Sequence, residues 1–441
     1  MNVPSIRLFR ATLFTEKCRL RKNRTSGTFT TQSQGRVQKV YNDFDNEVNM
    51  MLTKPKMTEQ QTLLLQSLTR MMEKYKEPYW QELDKKGEYP TKLVDELGKS
   101  GFMGIPISEE YGGAGLGIKE ASMILEEINA SGGNAQPFHG QYYLSWIMSK
   151  FAKESIKREY MPKLARGEIR MQSMALTEPE AGSETAKIKT FAKKEGDKYV
   201  INGHKIFASR VKYSDLMVLV TRTTPYEEVT KKTDGLSIFL VDLRKAKGLE
   251  VNEIKTIFNS QTYELFIENL EVPEENLIGE LGNGFRHILD ALNPERILLA
   301  SESIGDARWF IEKSVEYANS RRVFDRPIGQ NQGIQFPIAN VYAKLVGANA
   351  VRWESVELYD SGSHDMKRIG ELANIAKYLA SECAWEAANV TMDTYAGYGV
   401  AVDTGIQRKF RESRLYKIAP ISSNLILTYI GHNVLGMPKS Y

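Results

Sequence analysis

The 441-residue chain has few of the residues that mark several large classes of protein. It contains only two cysteines, Cys18 and Cys383, so we expect neither a disulfide framework nor a cysteine metal site. Its five histidines are scattered without the spacing of metal ligands, so we expect no bound metal. No apolar run approaches the roughly 18 residues that a membrane-spanning helix needs. We therefore expect no transmembrane segment.

Acidic residues are nearly absent from the first 40 positions, which hold nine Lys or Arg and only Glu16. This Arg-, Ser- and Thr-rich composition is typical of an organelle transit peptide. We interpret residues 1–45 as a transit peptide or disordered segment and expect the mitochondrial matrix as the location. The alternatives are a basic tail or a true start at Met57. Without residues 1–40, 50 basic and 54 acidic residues remain, a net charge of −4, so no nucleic-acid partner is expected.

The spacing of apolar residues along the remaining chain changes twice, which predicts an α+β protein of three domains. The full chain is 41% hydrophobic and 26% charged, enough for a sizeable core, and its 441 residues are too many for one typical domain. Apolar residues recur at helical spacing up to about residue 170. Short β-rich runs separated by polar turns follow, and helical spacing then returns. We predict an N-terminal helical domain (46–170), a middle antiparallel β domain (171–278) and a C-terminal helical domain (279–441).

One acidic residue stands out in the last domain. In "ALNPERILLASE" (291–302), Glu295 falls on an apolar helical stripe, with Arg296 beside it. Carboxylates are rarely buried unless they are paired or functional. Glu295 is therefore a candidate catalytic group. The alternative is a structural pair at a helix start, with Asn293 as the cap and Pro294 at the first helical position.

Four further motifs occur in a characteristic order: "MALTEPEAGSE" (174–184), "KIFASR" (205–210), "RRVFDRPIGQNQ" (321–332) and "DTYAGYGVAVD" (393–403). With the domain order, they resemble the acyl-CoA dehydrogenase family over about residues 58–441. The resemblance implies a C-terminal four-helix bundle and an FAD flavoprotein that removes two hydrogens across Cα–Cβ of an acyl-CoA. It also implies that electrons pass to electron-transfer flavoprotein.

The first two motifs imply the contacts to the flavin. Leu176 and Thr177 are expected to touch the flavin ring, and Gly182 and Ser183 to lie toward the flavin and the acyl-CoA. Phe207 is expected to stack beside the ring and Ser209 to hydrogen-bond near its N5 atom; strand alternation would put both on one face. Arg210 departs from the family pattern, which often has Asn there.

The later motifs imply contacts to the rest of the cofactor. Arg321 is expected on the FAD pyrophosphate, because a guanidinium donates to phosphate oxygens in a fork. Phe324 and Gln332 would lie near the adenine half, and Gly397 would allow close approach. In the family these residues reach a neighbouring subunit's FAD, which implies a homo-oligomer, expected to be a tetramer. Two positions depart from the pattern: Ala396 replaces a glycine, and Asp393 a frequent Gln.

Catalysis would require a base that takes the substrate's α-proton, and the next question is which residue provides it. Many relatives carry it as a Glu in a late segment that matches "LYKIAPISSN" (415–424), where this chain has Pro420. Isovaleryl-CoA and long-chain acyl-CoA dehydrogenases carry it on an earlier helix, in a stretch similar to "LNPERILLA". The resemblance therefore implies Glu295 as the base and Arg296 as a substrate contact. Ser422 and Asn424 are expected on the flavin side.

Two other functions stay open at this point. A flavin oxidase of the same fold would use O2 as electron acceptor, and a non-catalytic relative would retain the flavin without the reaction. Pro420 motivates the second. The sequence does not predict the length or branching of the acyl chain.

Overall fold

A computed structural model describes residues 57–439. The expected transit segment 1–45, the first part of the expected 46–170 domain and Cys18 lie outside the described residues. Within 57–439, no helix is both long and apolar enough to cross a membrane.

Six helices form the N-terminal part of the described chain: α1 (Glu59–Met72), α2 (Glu77–Lys86), α3 (Thr91–Lys99), α4 (Ile118–Ala130), α5 (Gln136–Phe151) and α6 (Glu154–Ala165). The first begins in a capping box, in which Thr58 accepts from the backbone of Gln61 and the Gln61 side chain accepts from the backbone of Thr58. Its residues Leu65, Leu68 and Met72 are buried at helical spacing, which fixes the face that packs inward. The predicted helical character of this region is confirmed.

The middle domain is a sheet of eight strands: β1 (Ser173–Ala175), β2 (Phe191–Glu195), β3 (Lys198–Ser209), β4 (Leu216–Arg222), β5 (Leu236–Asp242), β6 (Leu249–Ile254), β7 (Thr262–Pro273) and β8 (Leu277–Ile278). The spatial order is β6-β7-β3-β2-β4-β5-β8, with β1 beside β4. The expected β domain is confirmed, but its sheet is not wholly antiparallel. Both β1 and β2 pair with β4 in parallel, because β4 returns to the sheet in the same direction as these two earlier strands.

Helices return in the C-terminal part: α7 (Gly284–Ser320), α8 (Gln332–Asp360), α9 (Met366–Tyr395), α10 (Ile406–Ser413) and α11 (Ser423–Tyr429). A small hairpin of β9 (Arg322–Val323) and β10 (Arg326–Pro327) joins α7 to α8. Three helices are long, and the short α10 packs against α7 and α9 in the fourth place of the expected bundle.

Helix α7 is the centre of this arrangement. Its 37 residues contact α4 and α5 from the N-terminal domain and α8 and α9 from its own. The alternative in which Asn293 caps a helix and Pro294 opens it is wrong, because the helix begins ten residues earlier and runs through both. Tertiary packing on every side of residues 293–307 outweighs the hydrogen bond that an internal proline removes.

Charged side chains are buried where these helices meet. Glu126 on α4 accepts from Arg308 on α7 and from Arg352 on α8, each at 2.6 Å. Asp306 on α7 pairs with Lys409 on α10, and both are fully buried. Breaking such a pair by removing one partner leaves a charge buried without compensation. The domains are therefore held in register by ion pairs as well as by apolar contacts.

The first prediction concerns Glu126. We expect Glu126→Gln to lower the free energy of unfolding by about 3–5 kcal/mol, because two buried guanidinium groups lose their shared carboxylate. Chemical unfolding of the holoenzyme measures the change. The matched control is Glu110→Gln, which removes an exposed partner of Arg158 and should leave the midpoint unchanged. Equal midpoints for the wild type and Glu126→Gln would contradict this account of the domain contacts.

Candidate active site

Glu295 lies inside the protein, as its place on an apolar stripe indicated. It sits in the middle of α7 and is 7% exposed. One carboxylate oxygen, Oε1, lies 3.8 Å from Nε2 of His139. The other, Oε2, has no hydrogen-bond partner among the described residues. A free oxygen can accept a proton, a property that Glu295 shares with the buried carboxylates of Glu302, Asp306 and Glu412.

His139 stands between two carboxylates. It projects from α5, and its Nδ1 lies 2.6 Å from Oε1 of Glu302, a residue two helical turns after Glu295 on α7. Its ring also meets the edge of Tyr143 at 5.4 Å between centroids. Burial alone would lower the pKa of His139, but Glu302 and Glu295 outweigh it and raise the pKa to about 9. The imidazole is therefore charged at neutral pH and donates to Glu302.

Arg210 supplies a second buried cation at this site. Its backbone is left-handed at φ 57°, and its Nη1 donates to Oε1 of Gln136 at 3.4 Å. It has no ion-pair partner within 4 Å among the described residues, and its Nε is unpartnered. Burial lowers the pKa of Arg210, while nearby Tyr89, Tyr143 and both carboxylates oppose the shift. The departure from the family pattern at Arg210 thus adds a positive charge facing Glu302 and Glu295.

A small cavity of about 20 Å³ borders Arg210 and Gln136. It has room for about one water molecule. The lining also includes Glu412, whose Oε2 lies 3.8 Å from Lys409 Nζ but has no hydrogen-bond partner among the described residues. One bridging water would satisfy several of these buried polar atoms together.

Arg296 is buried beside Glu295 and does not lie at a solvent-exposed entrance to the site. Its Nη1 donates to Asn293 Oδ1 at 3.1 Å, and its Nε is without a partner in the described chain. Burial lowers the pKa of Arg296, and Glu295 opposes this. The expected contact to substrate from Arg296 would have to be made inside the site.

The segment around Pro420 offers no proton acceptor of its own. Lys377 on α9 is fully buried and donates through Nζ to the carbonyl of Ile421 at 2.7 Å. Burial lowers the pKa of Lys377 to about 7, and the nearby charge of Arg296 acts in the same direction. Ser422 caps α11 by accepting from the backbone of Leu425, and Asn424 is exposed. The segment is thus held in place by Lys377.

The two motifs expected to contact the flavin are brought together by one buried ion pair. Lys205 on β3 pairs with Glu178 at 2.9 Å and donates to the carbonyl of Leu176 at 2.8 Å. The backbone N–H of Ile206 donates to the carbonyl of Thr177. Burial lowers the pKa of Lys205 to about 8 despite Glu178. The segment after β1 is therefore fastened along β3.

This fastening places Leu176 and Thr177 near the end of β3 that carries Phe207 and Ser209. Phe207 is 58% exposed at φ 59°, and the buried Ala208 separates it from Ser209. The register shift between Lys205 and Ala208 places Phe207 in a bulge, so the regular alternation expected for Phe207 and Ser209 is interrupted at Phe207. Gly182 and Ser183 are exposed on the adjoining loop. These surfaces are open to an aromatic ring system.

A second surface lies at the far end of α7. Arg321, Phe324, Asp393 and Gly397 line a cavity of about 770 Å³. Phe324 is 92% exposed, and Arg321 has no ion-pair partner within the described residues. A Cβ on Gly397 would meet nothing within 4 Å, and Ala396 has the left-handed φ of 51° that favours glycine. Gln332 is exposed at the start of α8 but does not line the cavity.

The structure thus sorts the expected cofactor residues into two surfaces. The Phe207 group does not line the cavity of the Arg321 group. Each surface offers an exposed aromatic ring, and the second offers an unpaired guanidinium. This combination fits a long anionic cofactor with flat rings at both ends.

Several residues of this site are not marked by any motif in the sequence. His139 is a lone histidine in a buried helix, and Lys377 is a single lysine in apolar surroundings. Glu302 alone carried a signal, because it lies seven residues after Glu295 and so shares its helix face. The contacts to His139 span 163 positions and leave no trace in local periodicity.

Comparison with known proteins matches most of the described chain to one family. Residues 58–168, 173–270 and 282–435 match the N-terminal, middle and C-terminal domains of acyl-CoA dehydrogenase. The chain is 30% identical over 392 residues to acyl-CoA dehydrogenase FadE12 of Mycobacterium tuberculosis, covering 87% of this chain and 98% of that protein. It is also 30% identical over 348 residues to the CarC subunit of the caffeyl-CoA reductase–Etf complex of Acetobacterium woodii, covering 76% and 88%.

A solved structure has the same fold. The glutaryl-coenzyme A dehydrogenase complex with glutaryl-CoA superimposes with a TM-score of 0.81 at 27% identity, covering 88% of this chain and 98% of that one. Fold and matches together place the protein among the oxidoreductases that use FAD. The chain belongs to the acyl-CoA dehydrogenase family.

The second prediction follows from the charge on His139. An unfolded histidine titrates near pH 6.5, whereas the folded pKa of His139 is about 9. The stabilisation is therefore complete below about pH 6.5 and is lost as the pH rises through 9. We expect the wild type to lose up to about 3 kcal/mol of stability over this window relative to His139→Gln. Unfolding of both proteins across this window measures the difference; a constant difference would contradict the assigned charge.

Proposed function

We propose that the protein oxidises an acyl-CoA thioester to the trans-2-enoyl-CoA, with Glu295 as the base. The observation that carries the proposal is the buried carboxylate of Glu295, which has one oxygen free, in a chain with proline at the late base position. Relatives are named for acyl-CoA chemistry, and the solved glutaryl-CoA dehydrogenase complex has the same fold. No particular acyl chain is favoured by these observations.

In the proposed mechanism, the free Oε2 of Glu295 takes the proton from the α-carbon. Bound FAD supplies the acceptor for the β-hydrogen and its electron pair. The carboxylate is buried with one oxygen free of hydrogen bonds, so this oxygen is available to accept the proton. His139 and Arg296 place positive charge near the carboxylate, and the segment that contains Ser183 would lie toward the thioester end.

The FAD would be held in two parts. Leu176, Thr177, Gly182, Phe207 and Ser209 would hold the flavin, with Ser422 and Asn424 as further contacts. Arg321, Phe324, Gln332 and Gly397 would hold the pyrophosphate and adenine half of a FAD that belongs to a neighbouring subunit. The separation of these two surfaces within one chain supports a homo-oligomer, which we propose is a tetramer.

Electron-transfer flavoprotein is the proposed electron acceptor. The similarity to a subunit of a caffeyl-CoA reductase–Etf complex supports it. The basic, Ser- and Thr-rich composition of residues 1–45 supports import into the mitochondrial matrix as the proposed location.

The third prediction tests the base. We expect Glu295→Gln to retain FAD but to reduce it at least about 100-fold more slowly on anaerobic mixing with the best acyl-CoA, because an amide cannot take the α-proton. The measurement is the loss of visible flavin absorbance over a panel of acyl-CoAs. Glu316→Gln, an exposed change on the same helix, is the matched control and should react like the wild type.

Two results of that experiment, and one of a following reoxidation experiment, bear on the proposal. A Glu295→Gln rate close to the wild type would show that the base lies elsewhere. A wild type that is bleached by no acyl-CoA would contradict the dehydrogenase function itself. Reoxidation of the reduced wild type by O2 as fast as by electron-transfer flavoprotein would favour an oxidase.

The fourth prediction concerns the cofactor. We expect Arg321→Gln to weaken FAD binding by about 10-fold or more, since a charge-assisted hydrogen bond contributes about 1.5–3 kcal/mol. Reconstitution of the apoprotein with FAD, followed by flavin fluorescence, gives the Kd. Arg166→Gln, which removes an exposed guanidinium paired only with Glu168, is the control. An unchanged Kd would remove Arg321 from the cofactor site.

A further inference from the structure

The candidate base is part of a three-residue array contributed by two helices. Glu302 and Glu295 lie seven residues apart on α7, so their side chains share one face. His139 on α5 reaches between them, 2.6 Å from Glu302 and 3.8 Å from Glu295. All three are buried, and Glu302 is completely so. Within this array, the order from the interior to the base is Glu302, His139, Glu295.

His139 lies much closer to Glu302 than to Glu295. The contact to Glu302 is a short charge-assisted hydrogen bond, whereas 3.8 Å is beyond hydrogen-bond length. Glu302 therefore fixes the ring, and the ring turns its second N–H toward the base without immobilising it. A purely structural ion pair would need Glu302 and His139 alone, yet the second carboxylate lies on the other side of the same ring.

This arrangement follows a general pattern, in which a reactive group is oriented by a neighbour that is itself held by a third group. Here the cation also offsets the negative charge of two carboxylates in a dry site. Arg210 from the loop after β3 offsets the remainder, but it has no direct contact with either carboxylate. Removal of His139 would thus leave Glu302 without its hydrogen-bonded cation, and the two carboxylates would depend on Arg210 and Arg296 for nearby positive charge.

We propose that His139, held by Glu302, is a positioning residue that orients the carboxylate of Glu295 for removal of the α-proton. This inference rests on the proposed role of Glu295 as base and adds the two residues that control it. His139 remains a positioning residue because it acts through Glu295.

The consequence is a dependence of the reaction on pH. The groups that face His139 are Glu295 and Glu302 on α7 and Tyr143 on its own helix, with Arg210 after β3 and Tyr416 after α10 close to the same carboxylates. The pKa of His139 is raised to about 9, chiefly by Glu302 against the effect of burial. Loss of its proton would remove the attraction to Glu295. The rate of flavin reduction should therefore fall as the pH rises through about 9.

The test is the limiting rate of anaerobic flavin reduction by a saturating acyl-CoA, measured against pH for the holoenzyme. We expect His139→Gln to lower this rate by about 10- to 100-fold, to abolish the fall near pH 9, and to leave FAD content and substrate Kd within about threefold of the wild type. Glu302→Gln keeps the histidine but removes its anchor, so it should move the fall to lower pH. Glu316→Gln, an exposed change further along α7, is the control and should keep the wild-type profile.

The outcomes separate this inference from the proposed function. If Glu295→Gln reacts like the wild type, the base assignment fails first. If Glu295→Gln is inactive but His139→Gln retains both the rate and the fall near pH 9, only the positioning role is overturned. If His139→Gln loses FAD or does not fold, the nearly isosteric Glu302→Gln decides, because an unshifted profile in that variant overturns the proposal.

Discussion

A buried charge needs a partner, and helix α7 carries several of them into the interior. Glu295 and Glu302 meet His139 of α5, Asp306 meets Lys409 of α10, and Arg308 meets Glu126 of α4. Each contact joins α7 to a different element. The helix that holds the candidate base is therefore also the helix on which the N-terminal and C-terminal domains are aligned. Stability and chemistry draw on the same side chains.

Sequence patterns predict the elements of this protein better than the connections between them. Helical and strand periodicities give the order of the three domains, because each pattern reflects which face of an element is buried. Glu295 is recognisable because it interrupts such a pattern. The cap at Asn293 and Pro294 is a wrong prediction for the same reason: local propensity favours a helix start there, and burial on all sides decides otherwise. His139 could not be predicted, since its partners are brought to it only by folding.

The departures from the family pattern acquire different meanings in the structure. Arg210 is a buried cation of the candidate site. An arginine here, where the family often has asparagine, therefore adds positive charge near the carboxylates of Glu295 and Glu302. Pro420 belongs to a segment that Lys377 fastens through a backbone carbonyl, and that segment supplies no acid or base. Ala396 adopts a backbone conformation that favours glycine, although it carries a side chain. The three departures from the family pattern, at Arg210, Pro420 and Ala396, therefore differ in their physical effect.

The contact between Glu302 and His139 limits how this site can change over evolutionary time. A buried aliphatic residue can be altered one position at a time, because each step costs little more than packing. A buried ion pair cannot, because the loss of either member leaves the other as an uncompensated charge. Glu302 and His139 would therefore have to change together. The pair thus acts as a coupled unit of inheritance beside the candidate base.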